Sequence, residues 1–334
     1  MIKKVSVRKA FGEALADYGA VNSNVVVVVA DVSASVQTEY FAKRFPERFF
    51  NVGIAEQGMV DTGVGLALGG MIPFVNTFAG LMLRAVEQIR TCVAYAKTNV
   101  KIIGGYAGIS DYKDGATHYS IMDIAIMRVM PEMVVMVPAD ALEVRKMVPL
   151  VAEYDGPVYL RIGRANTPLV FNDNHKVEIG KGIIIREGSN ITFISNGVMV
   201  FRCLEAAKIL ADKGIEARVI NMHTIKPLDI SLVKQAAEET GTIVTAEEHS
   251  IIGGLGDAVA GVLSEYCPVP LERVGIADSF VETALDPESL LDHYGMAIED
   301  IIKAAHRAII RKREKFEKLL KKNRIKMKKS LNKA

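Results

Sequence analysis

The chain has 334 residues, 50% of them hydrophobic, and a formal net charge of +2; that is too long for one ordinary core and enough to bury two. No apolar run nears the length of a bilayer span, and three widely spaced cysteines, Cys92, Cys203 and Cys267, argue against a disulfide framework or a zinc site and for a reducing cytoplasm. The charge is uneven: residues 311–333 carry twelve Lys or Arg and two Glu, a net of +10 that leaves −8 on the rest of the chain, so the body has no nucleic-acid footprint and the tail reads as a solvated helical extension.

The N-terminus, Met1-Ile2-Lys3-Lys4, leads straight into a helical pattern with no signal region. Strand-like runs follow at 25–30, 49–52, 72–76, 100–104, 133–137 and 157–161. Helical patterns at 36–44, 78–97, 121–130 and 139–153 alternate with them, and a loop rich in Gly and Asp spans 104–117. A polar stretch at 164–181, with Pro168 and Asn172-Asp173-Asn174, marks a boundary. A second series has strands at 191–195, 216–220, 242–246 and 270–274, with helices at 199–213 and 228–240. The pattern predicts an α/β protein of two domains, each a mostly parallel sheet flanked by helices. The expected limits are residues 1–165 and 186–310 for the domains, 166–185 for the linker and 311–334 for the basic tail.

Parallel sheets bind ligands beyond the carboxyl ends of their strands. Asp31, Glu56 and the 104–117 loop all fall at such ends. Glu56 stands in Asn51-Val52-Gly53-Ile54-Ala55-Glu56-Gln57-Gly58, ahead of a mostly apolar and small-residue helix. An acid in a first helical turn suits the helix dipole in any case. A carboxyl poorly solvated there would also titrate higher, which suits proton exchange with a neutral heterocycle.

The motifs Val7-Arg8-Lys9-Ala10, Ala30-Asp31, Gly53-Ile54-Ala55-Glu56-Gln57, Asn76-Thr77-Phe78, Arg84-Ala85 with Gln88-Ile89-Arg90, Asp114-Gly115-Ala116-Thr117-His118 and Arg164 occur in order. Together they resemble the C-terminal half of transketolase, in the form encoded as a separate subunit, over residues 5 to 310. The resemblance implies a pyrimidine-binding domain followed by a transketolase C-terminal domain, and a thiamine diphosphate enzyme that moves a two-carbon ketol unit from a ketose to an aldose. Glu56 would activate the cofactor through its pyrimidine nitrogen. Phe78 would stack on that ring, with Leu81 giving apolar contact, and Asp31 and Arg84 would complete the cofactor set. His118 would face the substrate as a second catalytic group, and Asp114 would read a sugar hydroxyl. Arg8, Ser35 and Arg164 match the positions that hold a substrate phosphate. Phe78 could instead be a core residue and Asp31 a turn former.

Several positions depart from the family pattern. Tyr106 stands where a phosphate-binding histidine is usual, Asp111-Tyr112-Lys113 is bulkier and differently charged, and Tyr119 replaces a glutamine. The tail of the sugar is therefore open, and Lys113 could serve another anion such as a sulfonate. No Gly-Asp-Gly segment is present for the diphosphate and its cation. Gly253-Gly254-Leu255-Gly256 reads better as a tight strand-to-helix connection than as a phosphate loop. No metal site is expected in this chain. A partner N-terminal subunit would hold the diphosphate with Mg2+ or Ca2+, and two copies of each chain would assemble. Two other readings compete. One is the beta subunit of a 2-oxoacid dehydrogenase first component. The other is a non-catalytic scaffold, against which intact Glu56, Phe78 and His118 argue.

Overall fold

The structure is a computed structural model and describes residues 4–331. Met1-Ile2-Lys3, and residues 332–334 of the basic tail, lie outside the described residues. Fourteen strands are present among them: β1 Lys4–Ser6, β2 Val25–Val29, β3 Phe49–Asn51, β4 Ile72–Phe78, β5 Lys101–Gly105, β6 Val134–Met136, β7 Val158–Arg161, β8 Asn166–Pro168, β9 Ile183–Arg186, β10 Ile191–Ser195, β11 Ala217–Asn221, β12 Thr224–Lys226, β13 Ile243–Ser250 and β14 Leu271–Ile276. The large sheet has the order β12-β6-β7-β5-β4-β2-β3, and the second β14-β13-β10-β11-β9. Both are parallel apart from one antiparallel edge strand each, β12 and β9.

The five valines of β2 explain why that strand is central. All are buried, and successive residues face opposite sides of the sheet. Val25, Val27 and Val29 pack with Phe11, Leu15 and Val144 of the helices Val7–Val21 and Ala141–Glu153. Val28 faces the other way, toward Met59, Val75 and Ile89. A strand covered on both faces needs apolar side chains at both parities. The helix starts are capped from the sequence. Ser6 Oγ accepts from Lys9 N at 3.2 Å, and Asp140 Oδ1 accepts from Leu142 N and Glu143 N at 2.9 and 2.8 Å.

Three features differ from the sequence pattern. A short strand, β1, precedes the first helix and pairs antiparallel with β8 beyond the first domain's last parallel strand. The β12 strand, from the second half of the chain, extends the first sheet through β6. The hydrophobic cluster beneath it continues from Ile124, Met127 and Val135 into Ile220, Met222 and Val233. The two domains thus share a core. Third, residues 78–97 are not one helix. Helical turns at Ala79–Met82, a 3-10 turn at Leu83–Ala85 and a π-helical stretch at Ile89–Tyr95 replace it. The buried positions 79, 82 and 85 recur every three residues, then 89 and 93 at four, so no single helical period places them all inside. No helix among the described residues is long and apolar enough to cross a membrane.

Candidate active site

Five neighbouring parallel strands, in the order β7-β5-β4-β2-β3, deliver the expected residues to one edge. Asp31 follows β2, Glu56 opens the helix after β3, and Phe78 ends β4. Tyr106 follows β5, and Arg164 comes three residues after β7. Asp31 and Tyr106 turn with φ of 57° and 53°, a conformation that non-glycine residues adopt at some cost.

Glu56 is the first residue of the helix Glu56–Leu68 and is 4% exposed. Its Oε1 accepts from Arg84 Nη1 at 2.8 Å. The Arg84 side chain remains 58% exposed, so one end of this pair is buried and the other open to solvent. The sequence pattern gave Arg84 to one continuous helix over 78–97. The 3-10 turn that carries it changes the phase and turns it onto Glu56. Asp31 is exposed, and Asn51, which sequence reasoning did not single out, holds it. Asn51 Oδ1 accepts from Asp31 N at 3.0 Å and Asn51 Nδ2 donates to Asp31 Oδ1 at 3.1 Å.

A second group forms around Phe78. Its ring stacks on Tyr106 with centroids 4.0 Å apart and planes 7° from parallel. His118 meets Phe78 edge-on at 6.2 Å. Val36 and Leu81 complete this apolar patch. His118 Nδ1 lies 2.9 Å from Thr117 Oγ1. Arg8 Nη1 donates to Ser35 O and to the Tyr106 hydroxyl, both at 2.9 Å. Arg8 and Arg164 each place a guanidinium 5.4 Å from the Tyr106 ring centre. Arg164 Nε lies 3.0 Å from Asp111 Oδ1, but the two are not in hydrogen-bonding geometry, so the contact is ionic. Asp114 is exposed on the same loop. The expected residues thus form three contiguous parts: Glu56 with Arg84, Asp31 with Asn51, and the aromatic and charged group of Arg8, Ser35, Phe78, Leu81, Tyr106, Asp114, His118 and Arg164.

The loop from 106 to 120 is held from beneath. Gly108 and Ser120 pair through reciprocal backbone bonds of 3.0 and 3.2 Å. Glu248 Oε1, from β13 of the second domain, accepts from Ile109 N at 2.8 Å. Gly108 has φ of 75°, and a Cβ there would sit 2.4 Å from the Glu248 carboxyl carbon; only glycine fits. Arg161 joins both domains. It forks onto Asp123, with Nε 2.8 Å from Oδ2, and donates to Ser120 O and Glu248 O at 3.1 and 3.0 Å. Burial pushes the Glu248 carboxyl up, against the Arg161 charge and the backbone donors that pull it down. A lone Glu in a strand pattern carries no sequence signal for this role.

Other polar groups are accounted for structurally. Glu247 caps the helix Leu255–Tyr266, accepting from Leu255 N and Gly256 N at 2.7 and 2.8 Å. The glycine-rich stretch there is a strand-to-helix connection whose anion position is filled by the chain's own carboxylate. His175 stacks on Phe171 at 3.5 Å, and His223 and His249 are fully buried. Among the described residues no group of three or more His, Cys, Asp or Glu is placed to hold a metal ion. A cavity of about 390 Å³ opens between the domains, lined by Val137, Arg161, Phe201 and Arg202; it touches the 106–120 loop at Ser110, and none of the expected site residues lines it.

Comparison with known proteins gives the family. Residues 3–170 match the family described as "Transketolase, pyrimidine binding domain", and residues 180–301 match "Transketolase, C-terminal domain". The chain is 39% identical to the 6-deoxy-6-sulfo-D-fructose transketolase subunit SqwH of Clostridium sp. (strain MSTE9), over 92% of this chain and 95% of that protein. It is 40% identical to an apulose-4-phosphate transketolase subunit of Phocaeicola vulgatus, over 90% and 96%. A solved structure described as "Split gene transketolase, inactive beta4 tetramer" superposes with a TM-score of 0.87 at 47% identity, over 92% of this chain and 99% of that one. The chain therefore belongs to the transketolase family, in the split form in which a pyrimidine-binding domain and a C-terminal domain make one subunit.

Proposed function

We propose that this chain is the pyrimidine-binding subunit of a transketolase that moves a two-carbon ketol unit from a ketose to an aldose, and that it works only with a partner subunit holding the diphosphate and its divalent cation. On this reading residues 1–165 grip the aminopyrimidine, residues 186–310 serve in pairing, and two copies of each chain assemble. The single observation that carries the reading is the buried Glu56 carboxylate at the same end of the sheet as the aromatic patch of Phe78 and Tyr106 and as His118.

The residues present suit the pyrimidine of thiamine diphosphate. A buried carboxylate can hold a proton at a ring nitrogen, and Phe78 and Leu81 offer apolar contact to a flat ring. Tyr106 already takes one face of Phe78, so the ring approaches from elsewhere on this patch. When bound, the cofactor supplies an electron sink for the carbanion. This chain's part is positioning and proton transfer. Glu56 exchanges a proton with the ring nitrogen, and Arg84 fixes the Glu56 rotamer through the 2.8 Å bond. With Nδ1 of His118 engaged by Thr117, Nε2 is left to exchange a proton with an oxygen of the sugar. Arg8, Arg164 and Asp114 orient the remainder of the sugar. The substrates for which the two relatives are named, a sulfo-sugar and a sugar phosphate, support a sugar ketol donor and leave its tail open.

The test is a ketol-transfer assay of the chain alone and mixed with its candidate partner subunit, with thiamine diphosphate and Mg2+. We expect turnover only in the mixture. Glu56→Gln should lower it about a hundredfold or more, the scale of a lost proton-transfer group, with the thermal midpoint nearly unchanged. Decarboxylation of a 2-oxoacid in place of ketol transfer would overturn the assignment.

A further inference from the structure

Asp111 is the most unusual polar group at this edge. It is 1% exposed, and with its carboxyl ionised neither oxygen meets a hydrogen-bond donor in good geometry. Buried acceptors are almost always paired. Tyr119, on the same loop and 6% exposed, also has an unpartnered hydroxyl. Three buried residues of this loop, Asp111, Tyr119 and Ser120, have unsatisfied side chains, and Asp111, beside Arg8 and Arg164, marks a place that a polar ligand completes.

The charges around Asp111 decide what that ligand is. Arg164 approaches from the segment after β7 and Arg8 from the helix Val7–Val21. Tyr106, which both guanidiniums face, comes from the end of β5. The loop itself contributes Tyr112, Lys113, Asp114 and Tyr119. Tyr294 of the second domain stands near Tyr119, and Glu248 holds the loop's backbone from below. Two cations, Arg8 and Arg164, thus face Asp111 beside Asp114, and Lys113 adds a third positive charge, exposed on the same loop. Arg8 already spends one donor nitrogen on Ser35 and Tyr106. The net positive charge left is one unit, where a phosphate monoester brings nearly two at pH 7.

We propose, resting on the ketol-transfer reading above, that Asp111 is a specificity-determining residue that accepts a hydrogen bond from a sugar hydroxyl and sets the site against a dianionic tail. A hydroxyl donates at short range to a carboxylate that accepts no other hydrogen bond. A phosphate monoester has no proton to offer once doubly ionised and meets the carboxylate as a like charge. Burial, and then Asp114, push the Asp111 carboxyl up to about 7, while Arg164 and Arg8 pull it down. Asp111 therefore gains its charge through neutrality. The phosphate tail reaches its second ionisation near pH 6. Discrimination against phosphate grows as pH rises from 6 to 8.

The experiment uses the chain assembled with its partner subunit and saturated with thiamine diphosphate and Mg2+. Three ketoses of matched length, ending in a hydroxyl, a sulfonate and a phosphate, are compared by kcat/KM between pH 6 and 8. The expected result is that phosphate is the poorest tail at pH 8 and that its disadvantage shrinks at pH 6. The sulfonate and the hydroxyl do not titrate in this range, so any pH dependence of their ratio reports the enzyme's groups. Asp111→Asn should raise the phosphate-to-hydroxyl ratio at pH 8 by about tenfold or more, the scale of one removed charge contact, and flatten its pH dependence. Asp111→Leu should raise the same ratio further by also weakening the hydroxyl substrate, and thermal melts of both variants report folding. Ketol transfer with the phosphate tail preferred at pH 8, or with the ratio unmoved in both variants, would overturn the role of Asp111 alone. Absence of ketol transfer from every sugar would remove the functional reading and this inference with it.

Discussion

At the scale of single residues, the pair of Glu56 and Arg84 spans the boundary between core and solvent. One partner is almost completely buried and the other more than half exposed. An exposed guanidinium loses much of its Coulomb attraction to screening. The carboxylate it bonds is shielded, so removing the guanidinium leaves a buried acceptor short of a donor. Arg84→Met should therefore cost about 1 kcal/mol of stability. It should also raise the concentration of thiamine diphosphate needed for half-maximal activity in the assembled enzyme. Denaturant unfolding and a cofactor titration check this, and wild-type values in both would refute the coupling. The position of Glu56, after a strand and ahead of an apolar helix, was legible in the sequence because it follows from local pattern. Its partner was not. Arg84 sits on the 3-10 turn Leu83–Ala85, which packs on the helix Glu56–Leu68, a contact between segments far apart in sequence.

At the scale of elements, the long central strands and their covering helices were legible for the same reason that β2 is: five valines in a row admit one environment. Three-residue edge strands such as β8 and β12 carry no such pattern, because distant neighbours create them. The β12 seam has its own sensitivity. His223, just before β12, is fully buried, and its backbone carbonyl accepts from Val137 N at 2.8 Å beside β6. Its Nε2 has no partner. Burial pulls its pKa below the ordinary value of 6.5, and His175 adds to this, while Glu143 opposes it. The unfolded chain thus takes up a proton more readily than the folded one. The stability linked to His223 is present above about pH 6.5 and is lost as pH falls through the lower folded value. Amide exchange at Val135–Val137 should accelerate on going from pH 7.5 to 5.5, after correction for intrinsic rates. His223→Gln should remove most of that difference. An unchanged pH response in the variant would assign the effect to His175 or His249 instead.

At the scale of the whole molecule, the second domain holds a loop of the first. Two alternating α/β series were legible as two domains, but the contacts that unite them are made by residues far apart in sequence. Glu248 and Arg161 reach across the boundary from β13 and β7, and both end on the loop that carries Tyr106, Asp111, Asp114 and His118. Gly108 gives up a side chain so that the Glu248 carboxyl can come within reach of the Ile109 amide. A loop held this way is ordered by the second domain, and under the proposed function that order would lower the entropy lost when a sugar binds. Glu248→Ala would leave the buried Ile109 amide without its acceptor, at about 1–3 kcal/mol. The loop should loosen, so exchange at residues 108–120 should rise. The effect on catalysis should appear in KM for the sugar more than in the concentration of cofactor required, because Glu56 and Arg84 lie on other strands' ends. Gly108→Ala should act in the same direction by displacing the carboxyl. A purely structural role predicts a lower thermal midpoint with sugar KM unchanged, and that outcome would reduce the second domain to a scaffold for the first.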